Sequence, residues 1–516
     1  MLADINTVAY IGVCTVDVVA QVHMSNGIPA FNIVGMPDKI VGESRERIRA
    51  ALASINAHLP PKRITVNLSP AGILKEGSHY DLPIAIGILS VMKIIKKQES
   101  LRSFIVLGEL SLDGSISSVS GVLAAAALAK RERKGIICPY TNSKEAALVG
   151  SISVIGTNHL LHTIKAINES IADHALNSSS CLVQDHDKSY IQKSKAASID
   201  MSDIIGQEVA KRAAFVAAAG GHNFLMVGPP GTGKSMIAKS ISGILPDLSH
   251  EEVISINVIS SITHNGLDHL VTTRPFREPH SSASMASMIG GGNKALPGEI
   301  TLAHNGILFL DELPEFGRAT LEALRQPMED RKVVISRANA HVTYPANFQL
   351  IAAMNPCRCG YLNDPEKRCK RAPQCAQEYQ GKISGPIMSR IDIKVEVAAI
   401  SAFTRGLCTA KSETSEMVRC KVIAARKLQK ERYGSCDMNN ASLTPSEVES
   451  FIVSYMTHDA KALFSHILET NKLSNRDSVK ILKVARTISD IEANKHVLPE
   501  HIAEAMSLSC SKVFCI

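Results

Sequence analysis

The spacing of hydrophobic positions changes as the chain advances. Up to about residue 170, short β-rich runs (Thr7 to Val13, Asp17 to His23, Ile64 to Leu68, Phe104 to Leu107) are interleaved with helix-like ones. In the latter, Lys39 to Ile55 and Val122 to Arg131, apolar residues recur every three to four positions. This mixture predicts an α/β or α+β domain over 1–171. Between 172 and 198 the composition turns to serine, aspartate and lysine, which buries little apolar area and predicts a polar linker. A third region, 199–399, carries short, continuously apolar runs of the kind found in buried parallel strands: Phe224–Val227, Ile307–Leu310 and Leu350–Met354. Beyond it, over 400–516, the pattern becomes purely helical: Met417 to Arg432, Thr444 to Met456, Asp459 to Glu469, Arg476 to Ala493 and Glu500 to Ser507.

Composition adds bounds. A chain of 516 residues exceeds one compact core, and two to four domains are expected. A hydrophobic share of 45% and a charged share of 20% are ordinary for a soluble globular protein. The most apolar stretch, Pro83 to Ile95, is interrupted by Lys93 and reads as a buried element; no membrane span is expected. The start Met1-Leu2-Ala3-Asp4 does not read as a signal peptide. Twelve cysteines, some isolated in apolar runs (Cys14, Cys138), fit a reducing cytoplasm. A net charge of +7 is compatible with a polyanionic partner without identifying one.

The chemistry is concentrated in the third region. Gly228, Pro229, Pro230, Gly231, Thr232, Gly233, Lys234 and Ser235 spell a complete phosphate-binding loop between a strand-like and a helix-like run. Its glycines let backbone N–H groups turn toward phosphate oxygens. Lys234 can reach the outer phosphates, and Ser235 can ligate magnesium. ATP and Mg2+ are therefore the expected ligands. The apolar run Ile307–Leu310 ends in Asp311 and Glu312, which suit holding the magnesium and polarising an attacking water. Leu350–Met354 ends in Asn355, whose amide could orient that water or simply make a turn. Arg390 stands between a helix and a strand, where it could reach a neighbouring subunit's nucleotide or pair with Asp392. Arg476 opens a C-terminal helix and could fold back on the nucleotide or face water. Cys357, Cys359, Cys369 and Cys375 could form a structural zinc knuckle or remain reduced loop thiols; basic neighbours (Arg358, Lys367, Arg368, Lys370, Arg371) could touch DNA. Lys332 to Tyr344 alternates around a polar tip and predicts a hairpin, with Lys332 and Arg337 as candidate phosphate-tracking residues or as ordinary solvated ones.

Phosphate loop, acidic strand, asparagine strand, arginine and helical lid, in that order, resemble the AAA+ ATPases, and Asp203-Ile204-Ile205-Gly206-Gln207 is similar to that superfamily's opening segment. Three further segments resemble the magnesium-chelatase-like ATPases called ComM or YifB. They are Arg274-Pro275-Phe276-Arg277-Glu278-Pro279-His280 followed by Gly290-Gly291-Gly292, the run from Pro297 to Gly306, and Met354-Asn355-Pro356-Cys357. A second histidine that the family places after His280 is Ser281 here.

The resemblance implies an AAA+ P-loop core with a helical lid, a magnesium-chelatase-type C-terminal domain, and a homo-hexameric, ATP-driven motor. Such a motor moves DNA branch points during recombination of incoming DNA in natural transformation. It also implies an α+β domain of the Lon-protease-like (ribosomal S5 domain 2-like) fold at the N-terminus, with Gly108 to Gly114 and Ser120-Gly121 as landmarks. The protease's lysine falls on Leu123, so Ser78, near the other landmark, is not expected to act as a nucleophile. Two alternatives stay open: an ATPase that remodels a protein partner without DNA, and a protein-docking N-terminal module switched by the ATPase.

Overall fold

The structure, a computed structural model, describes residues 2–170, 199–263, 270–292, 295–337, 340–362, 369–399, 413–435, 438–471 and 473–509. The expected polar linker lies outside them. The chain divides into two units. One comprises Met1–Gln192, Ser249–Thr272 and Ser336–Tyr344; the other comprises Lys193–Leu248, Thr273–Ile335 and Pro345–Ile516.

The first unit is built on a seven-stranded mixed sheet. Strands β1 (Leu2–Ile11) and β2 (Cys14–Ser25) form an antiparallel hairpin in which Ile11 faces Cys14. Gly12, at φ +62°, makes the first position of its two-residue turn, so the strand expected to reach Val13 ends two residues earlier. Then come β3 (Ala30–Val34), β4 (Arg63–Ser69) and β5 (Phe104–Val106). A small separate pair follows, β6 (Glu109–Leu110) with β7 (Ile116–Ser117), and after it β8 (Gly135–Pro139) and β9 (Val154–Thr157). The order is β3-β4-β2-β1-β5-β8-β9, antiparallel around β2 and parallel from β1 to β9. The helix Lys39–Ser54 starts where the Asp38 carboxylate accepts the Val41 N–H at 2.7 Å. The apolar stretch from Pro83 lies in the helix Asp81–Val91, every residue of which is buried. A helix hydrophobic all round has no amphipathic period to read, which is why the sequence marks it only as a buried element.

The second unit holds a five-stranded parallel sheet. Its strands are β10 (Phe224–Val227), β11 (Phe276–Arg277), β14 (Ile307–Leu310), β17 (Gln349–Met354) and β18 (Ile393–Glu396). Between β11 and β14, β12 (Gly290–Gly291) pairs with β13 (Leu296–Pro297). β15 (Lys332–Arg337) and β16 (Ala340–Pro345), most of which is assigned to the first unit, form the expected hairpin; its tip, 338–339, is outside the described residues. The order β11-β14-β17-β10-β18 puts β10, β14 and β17 side by side and fully buried. In such a sheet the carboxyl ends of adjacent strands open onto one crevice, where ligands bind.

The C-terminal helices are Ser415–Tyr433, Pro445–Phe451, His458–Asn471, Asn475–Ile491 and Pro499–Ser509. The helix expected from Thr444 to Met456 stops at Phe451 and resumes as a 3-10 turn, Val453–Tyr455; Ile452 between them leaves the helical φ, at −118°, and is fully buried. Ile481, Val484 and Ile488 of the helix Asn475–Ile491 share one core with Ala213 and Ala217 of the helix Glu208–Gly220. Each of the valine and isoleucine side chains contributes about 1.5–3 kcal/mol by burial. Polar ties reinforce the join: Arg426 and Gln429 donate to the carbonyls of Ala218 and Ala219 at 2.9 and 3.0 Å.

Candidate nucleotide site and cysteine cluster

The phosphate loop leaves the buried strand β10 and ends on the helix Lys234–Ile244. Gly231 and Gly233 have φ of +77° and +85°, and a Cβ on either would meet nothing within 4 Å. That combination gives a left-handed backbone beside open space, as a cradle for phosphate oxygens needs. Gly228 is small for the opposite reason: a Cβ there would lie 2.1 Å from the Val397 carbonyl oxygen. The helix has no side-chain N-cap, so its first N–H groups await an external acceptor.

Lys234 is 8% exposed, and its ammonium donates to the carbonyls of Gly228 and Pro229 at 2.7 and 2.8 Å and to Asn355 Oδ1 at 3.2 Å. Burial pushes its pKa down, and the nearby carboxylates of Asp311 and Glu312 oppose that shift. Ser235 Oγ donates to Asp311 Oδ2 at 2.9 Å, while Asp311 Oδ1 accepts the Glu312 N–H at 2.9 Å. Glu312 is exposed and held at φ +51°, a left-handed conformation costly for a non-glycine residue. Five candidates from three separate strands therefore converge: Lys234, Ser235, Asp311, Glu312 and Asn355. The hydroxyl–carboxylate pair fits a hard divalent cation, and the glycine cradle fits the phosphates of ATP.

Arg390 and Arg476 stand apart from this cluster. Arg390 pairs with Glu329 and donates to the Pro386 carbonyl at 2.6 Å. The sequence-adjacent Asp392 instead accepts the Asn223 N–H at 3.2 Å and faces His222 at 3.4 Å. Arg476 is exposed in the first turn of Asn475–Ile491. Lys332 is exposed; the side chain of Arg337, together with Lys367 and Arg368, falls outside the described residues.

Cys357, Cys359, Cys369 and Cys375 do come together: their four sulfurs lie within 4.8 Å of one another. Tetrahedral zinc–thiolate sites, with bonds of about 2.3 Å, need sulfurs about 3.8 Å apart, so the donor set fits. Burial, then the hydrogen bond with Cys359, pushes the Cys357 thiol up to about 12.

In the first unit, Ser78 donates to Glu109, and Leu123 is buried with its N–H on Glu145 Oε1 at 3.2 Å. No lysine stands at Leu123, and the serine is committed to a carboxylate.

Some residues that shape the site appear in the sequence only as members of family-like segments, with no contact assigned to them. Gln207, at φ +59°, donates to the carbonyls of Thr232 and Ala398 at 3.4 and 2.6 Å, tying the opening segment to the phosphate loop. Arg277 forms a two-pronged pair with Glu299 at 2.7 and 2.8 Å, which joins two of the chelatase-like segments. Gly360 also lies against Pro230 of the phosphate loop, a contact that no local pattern announces.

A parallel sheet with this loop, acidic strand and asparagine strand defines an ATPase core of the AAA+ class. Family comparison agrees: "Magnesium chelatase, subunit ChlI" matches residues 200–404, "Subunit ChlI of Mg-chelatase" residues 20–142, and "Magnesium chelatase, subunit ChlI C-terminal" residues 412–509. The chain is 41% identical over 507 residues to the "Competence protein ComM" of Haemophilus influenzae, covering 98% of this chain and 97% of that one. It is 39% identical to the YifB protein of Escherichia coli, with 98% and 96% covered. A more distant match, 24% over 293 residues, is the DNA replication licensing factor Mcm6 of Drosophila melanogaster, spanning 55% of this chain and 32% of that one. The chain belongs to the ComM/YifB family of magnesium-chelatase-like proteins. No described helix is long and apolar enough to cross a membrane.

Proposed function

We propose that this chain is an ATP-hydrolysing DNA motor of the branch-migration type, acting on incoming DNA during natural transformation. The observation that carries the reading is the joint one. A converged phosphate loop, acid pair and asparagine sit in a chain that matches a competence protein over 98% of its length. The similarity to a replication licensing factor supports DNA as the substrate and a ring, taken here as a homo-hexamer, as the assembly.

In this reading the loop from Gly228 to Ser235 holds ATP through the N–H groups of Gly231 to Ser235 and the Lys234 ammonium, while the Gly228 N–H stays on the Met354 carbonyl. Ser235 and Asp311 would hold Mg2+, which when bound neutralises charge on the phosphate oxygens. Glu312 takes a proton from the attacking water, and Asn355 fixes that water's direction. Arg390 acts on the nucleotide of a neighbouring subunit, leaving Glu329 for the phosphate. Arg476 reaches back from the lid. The four cysteines would hold a structural zinc ion. The first unit is read as a Lon-like domain without protease chemistry, and domain borders are placed at 171, 198 and 399. A cytoplasmic location is supported by the thiols, free at every described cysteine.

A second reading has its own support. Over 160 residues the chain is 26% identical to the "Magnesium-chelatase 67 kDa subunit" of Chlorobaculum parvum, which favours remodelling of a protein partner without DNA. ATP hydrolysis by the purified protein, measured with and without forked or single-stranded DNA, separates the two. The motor reading expects at least severalfold stimulation; a rate indifferent to DNA would leave the protein-remodelling reading.

A further inference from the structure

The cysteine cluster lies directly against the hydrolytic machinery. Cys357 follows Asn355 by two residues, at the end of the same buried strand. Gly360, within the loop of the first two cysteines, has φ +85°, and its N–H donates to the Cys357 carbonyl at 2.9 Å. A Cβ on it would come within 2.6 Å of Pro230 Cδ, so this loop is packed on the phosphate loop itself. From the other side, Cys375 belongs to the helix Gln374–Gln380. That helix sends Gln380 Nε2 to the Pro356 carbonyl at 2.9 Å and sets the buried Tyr379 beside the Asn355 backbone. The Asn355–Pro356 turn is thus held from both sides by segments that converge on the four sulfurs.

We propose that the four-cysteine centre, closed on a tetrahedral divalent ion, is a clamp on the Asn355 turn and the Pro230 edge of the phosphate loop, so that nucleotide handling depends on metal occupancy. The inference rests on the zinc reading above. Four thiolates around one ion fix the loop of Cys357 and Cys359 relative to the helix of Cys375. Gly360 passes that fixed position to the phosphate loop by contact, and Tyr379 and Gln380 pass it to Asn355. These three are positioning residues. Without the ion, the described parts of the loop and the helix keep the Gln380 bond and a few backbone hydrogen bonds, a looser tie in which Asn355 Oδ1 loses its fixed distance to Lys234.

The test uses the full chain with excess Mg2+. Bound zinc is quantified by mass spectrometry, nucleotide affinity by the fluorescence of a labelled ATP, and KM and kcat by steady-state hydrolysis. About one zinc per chain is expected. Its removal by a zinc-selective chelator should weaken nucleotide binding at least tenfold, and added Zn2+ should restore it. Gly360→Ala should retain zinc yet show a similar loss, because the new methyl group displaces Pro230. Tyr379→Phe should retain zinc and nucleotide affinity but lower kcat several-fold. If zinc-free and zinc-loaded protein bind nucleotide equally, and Gly360→Ala binds as the parent does, the clamp is overturned while the zinc site stands. If the purified protein carries no zinc and takes up none, the underlying reading itself is wrong. Should the metal-free protein lose its fold by circular dichroism, Gly360→Ala and Tyr379→Phe still decide the matter.

Discussion

The two units each bury a lysine and pair a serine with a carboxylate, yet only one of these sets has the geometry of a nucleotide site. In the second unit Lys234 sits beneath glycines that leave open space, and Ser235 meets Asp311 at the mouth of a parallel sheet. In the first, Lys75 is fully buried with its ammonium on the Pro70 carbonyl, and Ser78 meets Glu109. Burial lowers the pKa of both lysines, but Asp311 and Glu312 pull Lys234 back toward its charged form, and among the described residues no such partner acts on Lys75. Residue types alone would not separate the two. The separation comes from the space left beside the lysine and from charges aimed at it.

Replacing each lysine should break the symmetry most sharply. Lys234→Ala removes a charge-assisted contact and is expected to weaken ATP binding by about two orders of magnitude. Lys75→Met, which keeps volume, should leave labelled-ATP binding unchanged. A loss of comparable size in the second variant would erase the distinction.

The next effect concerns stability. Asp490, fully enclosed in the lid, accepts from Arg432 Nη1 at 3.1 Å and from Asn440 at 2.9 Å, and pairs with Arg486 at 3.2 Å. Asp490→Ala strands the buried Arg486 guanidinium and the partly buried one of Arg432, and should cost about 3–5 kcal/mol in chemical denaturation of the second unit.

His79 marks the first unit in another way. It is buried between Tyr10 and Tyr80 with Nε2 on the Val8 carbonyl, and burial lowers its pKa from 6.5 to about 4. Between these values the unfolded chain binds the proton and the folded one does not, so stability present above pH 6.5 is lost as pH falls toward 4. The loss amounts to about 3 kcal/mol, and His79→Gln should flatten it. Denaturation midpoints measured from pH 7 to 4 check both.

The smallest contrast is between the serines. Ser78→Ala should cost about 1 kcal/mol of stability and leave hydrolysis unchanged, whereas Ser235→Ala should raise the Mg2+ concentration needed for half-maximal turnover.

Local chemistry decided what the sequence could reveal. The phosphate loop, Asp311–Glu312, the β15–β16 hairpin and the lid helices are legible because each is fixed by neighbours in the chain: glycine conformation, apolar runs, three-four spacing. The partner of Arg390 was not, since Glu329 lies far away in sequence while Asp392 is adjacent. Gly360 against Pro230, and Gln380 on the Pro356 carbonyl, arise from chain reversals that no period encodes. The two arginines are legible as residue types, but their work needs a nucleotide and a neighbouring subunit to be expressed.

The central claim is that this converged cluster hydrolyses ATP with Glu312 as base. Its most direct test is Glu312→Gln, followed by labelled-ATP binding and turnover in parallel. The account predicts binding within about twofold of the parent and turnover reduced by about 10²–10⁴-fold. Retained turnover would contradict it.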